Sequence, residues 1–330
     1  MAVRPTAALL LLAPVVSAYA PLGLLAAQVE QKRREVERLR ALPEAREDGP
    51  WALRLAYPAS AAHYGLARAV VERRGRRPAV LVDLKRASPG ARLGASEAVD
   101  PTLDVPAAVR RARQLGAAGA LVAVDQPLYG GSLRDLSEAA AACAPASEPP
   151  LPLVAKDLFV DPLQLARAAH AGATAVLLIA AAVLPDLPAL LDTCTLLGLE
   201  ALVEVHTPDE LHVASECGAP LLLVNERDRA TGKLVPGQAA AMASHLPGDA
   251  TLALACGGLA RLDQARALRR AGYDGLVLGR AWTDERSAEA LLAQLEGEFD
   301  DAPARLVTVP TVIGASEPPP EQLPEEIPSE

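Results

Sequence analysis

The sequence predicts an α/β fold in which eight βα units close into a barrel with an extra helix at its N-terminus. Eight short runs rich in Val, Leu and Ala recur along the chain. Each run is continuously apolar rather than alternating, as in parallel strands that are covered on both faces. Segments with helical period separate the runs. Eight consecutive βα units fit a closed (β/α)8 TIM barrel better than an open, doubly wound sheet.

The N-terminal residues 1–18 have the layout of a signal or targeting segment. One Arg precedes an apolar run over residues 7–16, which is too short to span a bilayer. Val16 and Ala18 place small residues before a cleavage point at Tyr19. Residues 17–21 (SAYAP) resemble the junction of bipartite plastid presequences in algae with secondary plastids. Plastid import is therefore expected, with the secretory pathway and a cytoplasmic location as alternatives.

Residues 24–42 predict an amphipathic helix before the barrel. Their apolar positions fall mostly three to four residues apart, and Pro43 ends the pattern. The barrel domain is predicted over residues 22–298. Residues 314–330 are rich in Pro and Glu with almost no apolar periodicity, which is typical of a disordered, solvated tail.

The eight apolar runs assigned to barrel strands are short. They cover residues 78–84, 120–124, 151–155, 173–180, 200–205, 220–225, 251–256 and 275–278. Helical period occurs between them, for example over residues 105–115, 162–171 and 260–271. Neither GxGxxG nor GxxxxGK[ST] occurs, so no nucleotide cofactor is predicted from a motif.

Polar side chains follow these runs where the predicted strands end. In a parallel barrel all carboxyl ends meet at one mouth, where the chemistry of such folds takes place. Two lysines and two carboxylates at one mouth are costly to desolvate unless they pair or bind a charged ligand. The polar residues at these ends are Asp83, Lys85, Lys156, Glu204, Asn225 and Arg227.

Composition excludes several classes of partner. The net charge of −9 and the nine aromatic residues argue against nucleic-acid binding and against an anionic membrane surface. Four scattered cysteines do not form a disulfide framework, and no ligand spacing indicates a metal site. We expect no membrane span, a small phosphorylated molecule as ligand, and a monomer or weak dimer.

Several motifs together resemble those of the indole-3-glycerol phosphate synthase family. Residues 82–89 (VDLKRASP) are similar to the family signature Glu-x-Lys-x-x-Ser-Pro-Ser. Residues 32–36 (KRREV) resemble its extra helix before the barrel. The resemblance covers about residues 23 to 295, and further segments follow in the family's order: 129–132 (YGGS), 156–164 (KDLFVDPLQ), 172–180 (GATAVLLIA), 202–206 (LVEVH) and 225–228 (NERD).

The resemblance implies a carboxy-lyase of tryptophan biosynthesis that needs no cofactor. It would close the indole ring of 1-(2-carboxyphenylamino)-1-deoxyribulose 5-phosphate with loss of CO2 and water. By position, Lys156 would be the general acid and a partner of the substrate carboxylate. Lys85 would pair with that carboxylate and help to expel water, and Glu204 would be the general base. Asp83 stands at the Glu of the family signature and completes the catalytic set.

The resemblance also implies residues that bind the rest of the substrate. Asn225 would orient the ribulosyl hydroxyls, with Ser88 and Arg227 nearby. Phosphate would be bound by backbone N–H groups after the seventh and eighth strands and by one added cation. These phosphate-binding residues would be Gly257, Gly258, Gly279 and Arg280. Because a lysine next to another lysine in a partly dry mouth has a lowered pKa, both lysines are expected to titrate closer to neutral pH.

Four places depart from the family pattern. Asp83 replaces Glu, and Leu158 replaces Phe, with Phe159 one place later. Residues 255–259 (ACGGL) stand where the family has Ser-Glu-Ser-Gly-Ile, so Cys256 replaces a carboxylate. Gly257 likewise stands at a Ser of that pattern and lacks its hydroxyl group. Residues 278–281 (LGRA) stand where the family has Val-Gly-Glu-Ser, so a second hydroxyl group is absent.

These departures leave two interpretations. The first is an active synthase with a relaxed phosphate site. The second is a diverged barrel, weakened or inactive, that binds a phosphorylated ligand or a protein partner. Retention of Lys85, Lys156, Glu204 and Asn225 favours activity, because an unused mouth has no reason to keep charges that are costly to bury.

Overall fold

Eight parallel strands form a closed barrel in the computed structural model, which confirms the predicted fold. The structure describes residues 23–59, 65–73, 77–89, 96–143, 150–229, 231–248 and 251–296, so the predicted segments 1–18 and 314–330 lie outside the described residues. Each predicted apolar run overlaps one strand. Strands β1 to β8 span Ala79–Leu84, Gly119–Ala123, Leu153–Lys156, Ala175–Ile179, Glu200–Val205, Leu221–Asn225, Leu252–Cys256 and Gly275–Leu278.

Consecutive strands are neighbours around the barrel, and β8 closes the ring by pairing with β1, where Ala79 lies opposite Gly275. The short strand Ala87–Pro89 follows β1 and pairs antiparallel with Ser96–Ala98 beside the carboxyl end of the barrel. Helices α1 to α14 span Gly23–Arg40, Pro50–Ala56, Gly65–Val71, Val105–Gln114, Gln126–Tyr129, Leu133–Cys143, Pro162–His170, Ala180–Val183, Leu187–Leu197, Pro208–Glu216, Gln238–Met242, Leu262–Arg270, Arg280–Thr283 and Glu285–Glu296.

Several helices that follow strands begin at a capping side chain with a proline in the first turn. The side chains of Asp104, Asp161 and Thr207 accept hydrogen bonds from backbone N–H groups of α4, α7 and α10. Such caps satisfy N–H groups that a helix start leaves unpaired, and proline loses nothing there. These caps fix the residues at which α4, α7 and α10 begin.

Alternating residues of each strand divide the apolar core in two. Inward-facing side chains fill the barrel, and α3 closes its amino-terminal end with Leu66 and Val70. Outward-facing side chains pack under the surrounding helices in a second, larger cluster. The inward set from the strands includes Leu81, Leu121, Val154, Leu177, Leu202, Leu223, Leu254 and Val277.

The predicted N-terminal helix is present as α1. Leu25, Val29 and Val36 are buried on one face, as the spacing predicts. The helix ends at Arg40 rather than at Leu42, because the chain turns there into a 3-10 segment at Pro43–Ala45. Within the described ranges no helix is both long and apolar enough to cross a membrane.

Candidate active site

On five strands the inward-facing row ends in a polar side chain at the carboxyl end of the barrel. Since side chains in a strand alternate, residues two apart face the same way. Asp83 therefore continues the inward direction of Leu81, and Glu204 that of Leu202. The same two-residue step carries Val154 to Lys156, Leu223 to Asn225 and Leu254 to Cys256.

A cavity of about 290 Å³ opens among these strand ends. The structure brings every site residue named from the sequence to its wall. Tyr129, Arg229 and Cys256 also line it. The residues named from the sequence are Asp83, Lys85, Ser88, Lys156, Glu204, Asn225, Arg227, Gly257, Gly258, Gly279 and Arg280.

Asp83 lies between the two lysines of the cavity. Its Oδ2 accepts from Lys156 Nζ at 2.8 Å and also from Lys85 Nζ. Burial raises the pKa of the Asp83 carboxyl, but the two ammonium groups outweigh it and the pKa falls to about 2. Asp83 is therefore ionised at neutral pH and holds both lysines in place.

The two lysines differ in their acidity. Burial lowers the pKa of Lys85 to about 8, although Asp83 opposes the shift. Burial also acts on Lys156, but the attraction of Asp83 and Tyr129 outweighs it, so the pKa of Lys156 is raised. The expectation of a lowered pKa thus agrees with the structure for Lys85. It is wrong for Lys156, because there the attraction of Asp83 and Tyr129 is stronger than the effect of burial.

Glu204 on β5 is 1% exposed and is held by two cations. Its Oε1 lies 2.6 Å from Arg229 Nε and 2.5 Å from Arg229 Nη2. His206 Nε2 lies 3.2 Å from the same oxygen, an ion-pair distance without hydrogen-bond geometry. Burial raises the pKa of Glu204, but Arg229 and His206 outweigh it and hold this pKa well below its usual range.

His206 lies between two carboxylates, those of Glu204 and Glu210. Its Nδ1 lies 3.3 Å from Glu210 Oε2, while its Nε2 faces Glu204. Burial lowers the pKa of His206, but these carboxylates raise it to about 9, so the imidazole is protonated at neutral pH. His206 and Arg229 therefore both lie against the same oxygen of Glu204.

Arg229 is the cavity residue that the sequence analysis missed. It lies in the segment after β6, four residues beyond the strand end, and its side chain is only 14% exposed. A loop residue shows no periodicity, so its direction could not be predicted. The available signal was the close spacing of Arg227 and Arg229 after a strand that ends in Asn225.

The backbone conformation after β7 requires glycine at two positions. Gly257 has φ of +104° and Gly258 has φ of +65°, which side chains rarely adopt. A Cβ at Gly257 would lie 2.9 Å from Glu226 Cβ. The hydroxyl-bearing residue of the family pattern is thus excluded here by conformation and by space.

Three predicted binding residues make contacts within the protein. Asn225 Oδ1 accepts from Arg227 N at 2.9 Å, and Arg227 Nη1 donates to Gly232 O at 2.7 Å. These bonds hold the segment after β6 against the cavity. Arg280, which follows β8, pairs with the exposed Glu97 at 2.7 Å.

A second buried ion cluster ties α1 to the barrel mouth. Lys32 Nζ contacts Asp125 and lies 2.9 Å from Asp157 Oδ1, with the Lys32 side chain 6% exposed. Asp125 caps the helix that ends at Tyr129, and Asp157 follows Lys156 in sequence. Burial lowers the pKa of Lys32, but the two aspartates outweigh it and raise this pKa. The extra helix thereby supports two segments of the cavity wall.

Replacing Lys32 with Met is expected to lower the free energy of unfolding by about 3–5 kcal/mol, because the change leaves two neighbouring carboxylates buried without their cation. Urea unfolding of the purified chain measures the loss. Arg33→Met is the matched control, since Arg33 is exposed on the same helix. A loss below about 1 kcal/mol for Lys32→Met would show that water replaces the cation at little cost.

Among the described residues, no group of three His, Cys, Asp or Glu side chains is arranged to hold a metal ion. The two ammonium groups and the Glu204 carboxylate of this cavity can transfer protons, and the cations can stabilise an anionic ligand.

Comparisons with known proteins agree with this geometry. The family model for indole-3-glycerol phosphate synthase matches residues 25–295. The indole-3-glycerol phosphate synthase of Koribacter versatilis is 33% identical over 71% of this chain and 85% of its own length. That of Syntrophobacter fumaroxidans is 32% identical over 67% and 79%, and that of Desulfosudis oleivorans 30% over 66% and 78%. The chain belongs to the indole-3-glycerol phosphate synthase family.

Proposed function

We propose that this chain closes the indole ring of 1-(2-carboxyphenylamino)-1-deoxyribulose 5-phosphate, releasing CO2 and water, as a carboxy-lyase of tryptophan biosynthesis. The observation that carries the proposal is that Lys85, Lys156 and Glu204 stand at the carboxyl ends of three strands around one cavity. These are the acids and the base that such a ring closure requires.

The charge of the cavity matches that of the substrate. Its wall has two acidic side chains, Asp83 and Glu204. The substrate has one carboxylate and one phosphate, close to three negative charges at neutral pH. A surplus of cations favours such a ligand over a neutral one. The basic side chains of the wall are Lys85, Lys156, Arg227, Arg229 and Arg280.

In the first step the aromatic carbon that bears the carboxylate attacks the ribulose carbonyl carbon. Lys156 donates a proton to the carbonyl oxygen, which becomes a hydroxyl group. Asp83 keeps Lys156 protonated and directed by its 2.8 Å contact. The raised pKa of Lys156 makes it a weaker acid, but it remains cationic and stabilises the developing oxyanion.

In the later steps CO2 leaves the ring carbon and the new hydroxyl group leaves as water. Lys85, with its pKa of about 8, is the better proton donor near neutral pH and protonates the leaving hydroxyl. Glu204 removes a proton from the ring system, so that one acid and one base complete the loss of water. Both groups are held in place by ion pairs before the substrate binds.

The remaining wall residues bind the rest of the substrate. Gly257 and Gly258 line the cavity after β7, and Gly279 precedes α13, so backbone N–H groups there would bind the phosphate without a hydroxyl side chain. Arg280 adds a cation at the exposed rim. Asn225 and Ser88 supply polar groups for the ribulosyl hydroxyls.

The direct test is a turnover assay of the purified chain with this substrate, measuring indole-3-glycerol phosphate. Steady release of product that depends on Lys85, Lys156 and Glu204 is the expected result. No turnover, together with no thermal shift by the reduced substrate analogue at millimolar concentration, would instead favour the diverged barrel.

The pH dependence of kcat tests the role of Lys85. If protonated Lys85 donates a proton, kcat is expected to fall as pH rises above about 8, because the acid form is lost there. Lys85→Arg keeps the charge at all these pH values. This variant is expected to turn over more slowly, and its kcat should no longer fall as pH rises above about 8; we call this fall the basic limb. A limb that persists unchanged in Lys85→Arg would assign it to another group.

Localisation and assembly rest on the sequence alone. The signal-type segment 1–18 supports import into a plastid, and residues 1–40 fused to a fluorescent protein would test this in an alga with a secondary plastid. Secretion or a cytoplasmic signal would contradict it. A monomer or weak dimer stays a prediction, which sedimentation of the purified chain tests.

A further inference from the structure

Arg229 is a basic residue of the cavity wall to which the proposed mechanism gives no task. Resting on the proposed function, we infer that Arg229 binds the carboxylate of the substrate's aromatic ring and makes the site selective for carboxylated ligands. The carboxylate is the group that distinguishes this substrate from its decarboxylated counterpart.

The contacts of Arg229 leave part of its guanidinium free to bind a ligand. Nε and Nη2 contact Glu204 Oε1, and Nη1 lies 3.4 Å from the Tyr129 hydroxyl. Within the described residues these contacts use three of the five N–H donors of a guanidinium. Because Glu204 and Tyr129 hold the group on two sides, it is preorganised to bind a planar carboxylate.

The side of the cavity on which Arg229 lies indicates which anionic group it meets. Arg229 contacts Glu204 at the end of β5 and Tyr129 after β2, and the Tyr129 ring lies 5.1 Å from Lys156 Nζ at the end of β3. The glycines proposed to bind phosphate follow β7 and β8, whereas the residues that Arg229 contacts lie at the ends of β5 and β2. With the phosphate bound there, the aromatic end of the substrate extends toward Arg229.

The charge on this inner part of the cavity is unbalanced by one unit. Lys85, Lys156 and Arg229 face the carboxylates Asp83 and Glu204, and the three cations repel one another. His206 adds no surplus, because Glu210 is its second partner. One ligand carboxylate would restore neutrality, whereas a neutral ring would leave a cation buried without a counterion.

Cys256 is the reason that this cation is available. In the family pattern a carboxylate stands at this position, and it would neutralise a neighbouring arginine. Here burial raises the pKa of the Cys256 thiol far above neutral pH, so position 256 is uncharged although it lies within electrostatic range of Arg229. The loss of the carboxylate and the presence of Arg229 together shift the local charge toward anion binding.

The experiment compares two non-reacting probes by calorimetry. One is the reduced substrate analogue, 1-(2-carboxyphenylamino)-1-deoxyribitol 5-phosphate, and the other is the same molecule without its carboxyl group. Arg229→Met is expected to weaken binding of the carboxylated probe by about ten- to thirtyfold and of the other probe by less than about twofold. Arg280→Met is the matched control at the phosphate side and is expected to weaken both probes equally.

A second variant keeps Arg229 and tests the same contact. Cys256→Glu places a competing carboxylate within its range, so binding of the carboxylated probe is expected to weaken while the other probe binds at least as well. Equal losses for both probes in Arg229→Met, or no loss for the carboxylated one, would overturn the assignment. If the unaltered chain binds neither probe, the proposed function itself fails; if it binds and turns over substrate, only the role of Arg229 is at stake.

Discussion

Replacing Lys156 by alanine is expected to lower kcat for ring closure by at least about a hundredfold, the usual contribution of a positioned proton donor. Lys156 is the ammonium group that lies between Asp83 and the Tyr129 ring, at the end of β3. Lys85 has its own contact with Asp83, which the substitution does not remove. Steady-state turnover over a range of substrate concentrations measures the loss.

Two controls separate chemistry from folding in this variant. Lys233→Ala makes the same change at an exposed lysine outside the cavity wall and is expected to keep kcat within about twofold. Small primary amines added to Lys156→Ala should restore part of the rate, because they supply an ammonium group to the space left by the side chain. Turnover of Lys156→Ala within about tenfold of the unaltered chain would refute the assignment of Lys156 as general acid.

The period-two rule explains why the wall residues on strands could be found from the sequence. Once a run is assigned to a parallel strand, its last inward position is two residues beyond a buried Leu or Val, as for Asp83 after Leu81 and Glu204 after Leu202. Closure of the barrel then brings these positions together. This part of the site needs only local pattern and the topology of the fold.

Contacts made by loops and by distant helices could not be found in this way. Arg229 reaches Glu204 because the segment after β6 folds back over the mouth, and that path depends on bonds such as Arg227 to Gly232 O. Lys32 meets aspartates about a hundred residues away, for which no spacing rule exists.

The pKa of Lys156 shows a different limit. The sequence places two lysines at one mouth, from which mutual repulsion follows, but which oxygen each one contacts is a matter of side-chain geometry. Asp83 Oδ2 contacts both ammonium groups, and the pKa of Lys156 is raised because the attraction of Asp83 and Tyr129 exceeds the opposing effects of burial and of Arg229. The sequence therefore predicts that both groups are cations, but it does not predict whether the pKa of Lys156 is raised or lowered.

Glu204→Gln is expected to lower kcat by about a hundred- to a thousandfold, because an amide of the same shape cannot accept a proton. Arg229 Nε can still donate to the amide oxygen, so the position of the side chain is kept while its charge is lost. His206 loses one of its two carboxylate partners, and its pKa should therefore fall from about 9. Turnover and the titration of the His206 imidazole by NMR measure the two effects.

The same strand provides a control for this variant. Glu200 begins β5 at the opposite end of the barrel, where its carboxylate accepts from the backbone N–H groups of Leu66 and Ala67 at 2.6 and 2.8 Å. Glu200→Gln removes one of these acceptors and is expected to cost about 1–3 kcal/mol of stability while kcat is unchanged. Equal effects of the two substitutions on kcat would mean that Glu204 acts through the packing of the strand. A large loss of turnover confined to Glu204→Gln, in a variant that is still folded, is what a general base in the cavity requires.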